Sequence, residues 1–206
     1  MKRLAALALA LLPSLTQAAD DAWRFRVFLD RDEIGTHDFV LKKEANGDVL
    51  TSAARYRVKV MFVEAYRYEH ASNENWRNGC LAGIDATTDD NGKRTEVRGR
   101  RDGDVLAVNA GGRSFKATDC VMTFAYWNPA ILERRQLLNV QTGELQDVTV
   151  SPLGEETLSL PTGPQRARRH SITTRDFRID VWYAGNRWVA LESRTSSGKL
   201  LRYVPR

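Results

Sequence analysis

Apolar and polar positions alternate with a period of two along most of this chain. Trp23, Phe25, Val27 and Leu29 alternate with Arg24, Arg26 and Asp30. Tyr56, Val58, Val60 and Phe62 alternate with Arg55, Arg57 and Lys59, and Tyr66, Tyr68 and His70 carry even-numbered spacing onward. Phe177, Ile179, Val181 and Tyr183 repeat the pattern near the end, followed by Trp188 to Arg194 and Leu200 to Val204. A period of two buries one face of a strand and wets the other. Turn chemistry divides the strands: Asn46-Gly47, Asn91-Gly92, Asp102-Gly103, Gly111-Gly112, Gly185-Asn186 and Ser197-Gly198. Short strands at this spacing predict a mainly β fold, either one antiparallel curved sheet or a partly open β-barrel.

Two segments depart from the alternation. Asn128-Pro129 reads as a helix start, with Asn as cap and Pro at the first helical position. One short helix is therefore expected over residues 129–138, packed on the sheet because ten residues cannot hold a helix alone. Residues 153–169 carry Pro161 and Pro164 and end in Arg166, Arg168 and Arg169, which reads as a mobile rim loop.

The first residues have a different purpose. Lys2 and Arg3 precede an unbroken run of Leu and Ala from Leu4 to Leu12, then Pro13 and a small-residue site around Ala18-Ala19. That order is a secretory signal peptide over residues 1–19, too short for a bilayer span. It leaves a single β-rich domain over 20–206, in the periplasm or outside the cell. No transmembrane segment is expected. The chain of 206 residues carries a formal charge of +5, which falls to +3 once Lys2 and Arg3 are removed. So mild a charge on an exported protein gives no reason to expect a nucleic-acid partner. In an oxidising compartment the two cysteines, Cys80 and Cys120, are expected to pair.

Catalytic motifs are scarce. His37, His70 and His170 form no HxH, HExxH or zinc spacing with the cysteines, so neither a metal nor another cofactor is expected. The acidic group Asp85, Asp89 and Asp90 lacks calcium-loop spacing and reads as a solvated turn. The basic stretches, Lys93 to Arg101 and Arg166 to His170, read as solvated faces or as sites for an anionic headgroup. Asn78-Gly79-Cys80 leaves one enzymatic alternative, a cell-envelope enzyme with Cys80 as nucleophile and His70 as base. The aromatic residues point elsewhere. Phe62, Tyr66, Tyr68, Tyr126, Trp127 and Trp182 are the candidate lining of a pocket for a hydrophobic or amphipathic ligand such as a lipid, with Arg57 or Lys59 at its rim. Ordinary core packing is the competing use of the same residues, in which case the protein is an envelope module with a dry core and a protein partner.

Several phrases together point to a family. They include Ile34-Gly35-Thr36-His37-Asp38-Phe39, Tyr66-Arg67-Tyr68-Glu69-His70, Asn78-Gly79-Cys80-Leu81, Tyr126-Trp127-Asn128-Pro129 and Asp180-Val181-Trp182-Tyr183. With these the chain resembles a family of secreted proteobacterial proteins, the domain of unknown function DUF6134, over nearly all of its length after residue 19. The resemblance implies one exported β-rich domain, similar in outline to the half-barrel periplasmic lipid carriers. It carries no catalytic or binding residue with it.

Overall fold

The computed structural model describes residues 20–206. The expected signal peptide lies outside the described residues. Eight strands come first: β1 (Asp21–Leu29), β2 (Asp32–Glu44), β3 (Gly47–Val60), β4 (Val63–Arg77), β5 (Cys80–Asp90), β6 (Lys93–Asp102), β7 (Val105–Ala110) and β8 (Arg113–Ala117). Two short strands follow, β9 (Gln136–Leu138) and β10 (Leu145–Asp147). Five more end the chain: β11 (Thr149–Leu160), β12 (Gly163–Thr173), β13 (Arg178–Ala184), β14 (Arg187–Arg194) and β15 (Leu200–Pro205).

Thirteen of these strands form one antiparallel sheet in the order β11-β12-β13-β14-β15-β1-β2-β3-β4-β5-β6-β7-β8. Neighbours in the chain are neighbours in the sheet, as short turns require. The exception is β1, which pairs with β15 as well as β2 and so joins the two halves of the chain. The sheet is not closed into a barrel: β8 and β11 are its edges. No helix among the described residues is long and apolar enough to cross a membrane.

The chain must still travel from one edge to the other, and residues 118–148 make that crossing through the interior. Val121, Met122, Ala125, Ile131, Leu137, Leu138 and Val148 are all buried there. They share one hydrophobic cluster with Trp23 and Phe25 of β1, Trp76 of β4, Leu106 of β7, and Tyr183 and Trp188 of β13 and β14. Side chains from strands so far apart in the sheet meet in one core only because the sheet curls around the crossing segment. The inward residues keep the predicted alternation: in β4 Tyr68, His70, Ser72, Glu74 and Trp76 are buried, and the residues between them are exposed.

The helix expected over 129–138 is a single 3-10 turn, Pro129–Glu133, and the residues after it become β9. Asn128 caps the turn as expected: its Oδ1 accepts from the Ala130 N–H at 3.0 Å. The turn buries Ile131 alone. Leu137 and Leu138 are consecutive and both fully buried, which a strand with protein on both faces allows. The Leu138 N–H bonds to the Met122 carbonyl on one side, and Leu138 faces Leu145 of β10 on the other.

The rim loop expected over 153–169 is instead the hairpin of β11 and β12, paired from Thr149–Thr173 to Leu160–Gly163. Its outer half is mostly exposed, with Leu158 and Leu160 half-buried and Ala167 buried, so too few apolar positions alternate there to mark strands in the sequence. Pro152 sits beside a register shift on the edge strand, where a missing N–H costs least. The β9–β10 turn packs against β7. Gly143 lies there at φ 71°, and a Cβ on it would sit 2.3 Å from Ala110 Cβ, so only glycine allows the approach.

Candidate functional site

The crossing segment does not fill the interior completely. A cavity of about 340 Å³ remains between it and the inner faces of β2, β3, β4, β14 and β15. Its apolar wall comes from Phe39, Leu50, Phe124, Tyr126, Trp127 and Leu191. Its polar wall comes from His37, Ser52, His70, Ser72, Glu74 and Thr123.

The sequence places these groups by parity and by turns. Ser52 on β3 and His70, Ser72 and Glu74 on β4 occupy inward positions that a strand usually gives to apolar side chains. Tyr126 and Trp127 are held by a tight bend, in which the Asn128 N–H bonds to the Ala125 carbonyl at 2.8 Å. The Tyr183 hydroxyl donates to the Tyr126 carbonyl at 2.8 Å, and the Tyr126 ring lies 5.2 Å from Trp188. Asn139, Val140 and Gln141 reach the cavity edge from the β9–β10 turn. There the Gly143 N–H bonds to the Asn139 carbonyl at 2.7 Å.

Most polar groups of the wall have partners. His37 Nε2 lies 2.7 Å from Ser52 Oγ, and its Nδ1 lies 3.1 Å from the Tyr203 hydroxyl. Tyr203 also meets the Tyr56 hydroxyl at 2.6 Å. His70 Nδ1 bonds to Thr88 Oγ1 at 2.9 Å. The Thr123 hydroxyl donates to Glu74 Oε2 at 2.9 Å, and Ser72 to Oε1 at 3.5 Å. Trp127 Nε1 is the exception: it is buried and has no hydrogen-bond partner.

Burial sets the charge state of this wall, because a low-dielectric interior disfavours the charged form of any group. Desolvation pushes the Glu74 carboxyl up to about 7, with the Thr123 and Ser72 hydroxyls opposing it. Desolvation brings His70 down to about 4. The same cause holds His37 well below the usual imidazole value, and a charge on His70 would lower it further. At neutral pH the two imidazoles are uncharged, and Glu74 is poised between its two forms. Among the described residues no three His, Cys, Asp or Glu side chains converge as a metal site would need.

Of the six aromatic residues singled out in the sequence, Tyr126 and Trp127 line the cavity. Tyr68 stands next to it, stacked on Tyr56 at 5.0 Å and 6.4 Å from His70. Tyr66 lies farther along β4, and its hydroxyl donates to Asp90. Trp182 is buried against Ala167 and Ala190 in a separate cluster, with Arg169 stacked over its ring at 4.8 Å. Phe62 is fully exposed at the β3–β4 turn. Arg57 is ion-paired with Glu64 and Glu69. Cys80 is bonded to Cys120, and no described cysteine is free. The thiolate that a Cys80 nucleophile needs is consumed by that bond. In the basic stretches, Arg98 pairs with Glu96, Arg100 with Asp85 and Arg166 with Glu155.

A family model described as Domain of unknown function (DUF6134) matches residues 25–206. Among solved structures, the chain is similar to a beta-barrel-like protein of the domain of unknown function DUF1849 from Brucella abortus. The TM-score is 0.65 at 9% identity, over 91% of this chain and 95% of that one. At that identity the likeness is one of fold. No curated protein matches the chain.

Proposed function

We propose that this chain, which belongs to the DUF6134 family, is an exported binding or carrier protein for one small amphipathic ligand. The observation that carries this reading is the composition of the cavity. One wall is aromatic and aliphatic, and the other is a row of buried polar groups that includes two neutral imidazoles. Small-molecule sites combine these elements: apolar surface for affinity and a few fixed polar groups for orientation. The ligand's apolar part lies along Phe39, Leu50, Phe124 and Tyr126. Its polar end meets His37, His70 or Glu74.

Size narrows the class. At about 340 Å³ the cavity is at the small end of the range of roughly 300–1,000 Å³ typical of such sites. It suits a single chain or ring system better than a two-tailed lipid. A neutral or hydrogen-bonded polar end suits the wall better than a fixed charge, since both histidines are held neutral by desolvation.

Native mass spectrometry of protein purified from its own cells is the direct test, with a co-purifying small amphipath expected. A fluorescent fatty-acid probe gives the second readout. Trp127→Ala is expected to weaken its binding about tenfold, by removing part of the apolar wall. If no probe binds at micromolar concentration and Trp127→Ala only lowers the melting temperature, the cavity is packing space and the carrier reading fails.

A further inference from the structure

The β3–β4 hairpin outgrows the sheet that carries it. Pairing of β2 with β3 ends at Gly35–Tyr56, and pairing of β4 with β5 ends at Tyr68–Asp90. Beyond those points Arg57 to Arg67 pair with each other, with one last tie to the β5–β6 turn where the Asn91 N–H donates to the Arg67 carbonyl at 2.8 Å. Val58 and Tyr66 still pack against the cluster of Val27, Ile34 and Tyr56, and beyond them Lys59 to Ala65 form an exposed two-stranded ribbon with no strand paired on either side, rising on the order of 10 Å. Its tip is Val60-Met61-Phe62-Val63. Val60 exposes 57% of its surface, Met61 88%, Val63 67% and Phe62 all of it.

The turn makes this choice of residues unusual. Met61 and Phe62 have φ of 48° and 70°. A two-residue hairpin turn with both φ positive favours Asn-Gly, because larger side chains crowd the backbone there. Two bulky apolar residues at these positions strain the turn and bury nothing in this chain. Below the tip the chemistry changes. Between residues 57 and 67 there are three cations, Arg57, Lys59 and Arg67, and one carboxylate, Glu64. Arg57 and Arg67 are held by Glu64, Glu69 and Asp89, while the Lys59 side chain is exposed beside the tip. Tyr66, at the base of the ribbon, directs its hydroxyl to Asp90.

We propose that this ribbon is a membrane-docking finger, whose Val60–Val63 tip enters the interfacial layer of an anionic bilayer while Lys59 meets the headgroups. The order apolar tip, exposed lysine, tyrosine base follows the polarity of a bilayer surface from the acyl boundary outward. Four side chains on a narrow projection are too small for a stable protein interface, which buries about 800 Å² per partner. Insertion into lipid needs no matching surface. The placement also fits the cavity. In an antiparallel meander alternate turns share an end, so the finger stands at the end of the sheet where Phe177 and Leu201 border the cavity.

Co-sedimentation with phosphatidylethanolamine vesicles containing phosphatidylglycerol tests the finger. Protein purified from its own cells is used, with intact mass confirming one N-terminus throughout, since an uncleaved apolar leader would itself bind lipid. The wild-type protein is expected to sediment with the vesicles. Met61→Asn/Phe62→Gly is expected to lower binding at least tenfold while melting no lower than wild type, because the new pair suits the turn. Should the double variant misfold, Phe62→Asn alone, also tolerated at positive φ, is read in its place. Lys59→Glu is expected to lower binding several-fold, with the difference shrinking as salt is raised. Absence of wild-type binding, or equal binding by the tip variants, overturns the proposal. So does a tip-dependent dimer in sedimentation velocity without vesicle binding, which would make the tip a contact between copies. Ligand binding in the cavity is measured without vesicles, so either reading can fail alone.

Discussion

Reduction of the Cys80–Cys120 bond is expected to lower the unfolding free energy by about 4 kcal/mol. The bond closes a loop of 40 residues, and the chain-entropy relation gives that figure for such a loop. Its position adds to the expectation. Cys120 opens the segment that crosses the interior, and Cys80 begins β5, so the bond ties the crossing to the sheet where it enters. The tie is reinforced locally: the Leu81 N–H bonds to the Val121 carbonyl at 2.9 Å. Arg101 reaches the carbonyls of Leu81 and Asp119 with its guanidinium. These contacts remain after reduction, but the unfolded chain regains the freedom that the covalent loop denied it. Denaturant titrations with and without reductant, and of Cys80→Ala/Cys120→Ala, check the figure. Equal midpoints would show that the bond constrains nothing the fold does not already fix.

What the sequence revealed depended on how each strand is buried. β1 and β4 have one dry face and one wet face, so their residues alternate and the strands could be read directly. The outer half of the β11–β12 hairpin is mostly exposed, and its few apolar residues, Leu158, Leu160 and Ala167, stand among charged residues, glycines and prolines, which are also the marks of a loop. β13 is the opposite case. Asp180, Val181, Trp182 and Tyr183 are all buried, so parity could not tell whether Trp182 faces the interior or the cluster with Ala167 and Ala190. Around Leu137-Leu138 the apolar run was too short to separate helix from buried strand.

The cavity was half legible for a related reason. Tyr126 and Trp127 stood out as aromatics before a capped turn. His37, His70 and Glu74 did not, because a polar residue in a strand is ordinarily a surface residue. The signal was nevertheless present: His70, Ser72 and Glu74 share the parity of Tyr68 and Trp76, and a polar residue on the apolar parity is one the fold buries. Phe62 has the same even spacing, yet it lies in the turn beyond the register shift at Ala65 and is exposed. Parity says which way a side chain points, and only the lengths of the neighbouring strands decide whether anything stands opposite it.

Glu74→Gln is expected to stabilise the protein by about 3 kcal/mol at pH 8 and by nothing below about pH 4.5. The carboxyl titrates near 4.5 when unfolded and at about 7 when folded. Between those values the native state holds a proton that the unfolded state has released, so stability falls as pH rises through this window. Above it the native protein carries a buried carboxylate at the full cost of the shift, about 3 kcal/mol. Glutamine keeps the shape and an acceptor for Thr123 but has no charge to desolvate. The two histidines act with the opposite sign. His70 is lowered to about 4 and His37 is lowered as well, so the unfolded state binds their protons first, and stability is lost as pH falls below 6.5. Wild-type stability should therefore rise from pH 4 to about 7 more gently than that of the variant, because Glu74 offsets part of the histidines' gain, and then level off about 3 kcal/mol below it. The Glu74→Gln profile should rise and stay level. Thermal or urea unfolding across pH 4–9 separates the two curves. If they run parallel, or if the variant is the less stable at pH 8, then Glu74 is solvated or partnered in its charged form, and the polar wall of the cavity is wetter than its burial indicates.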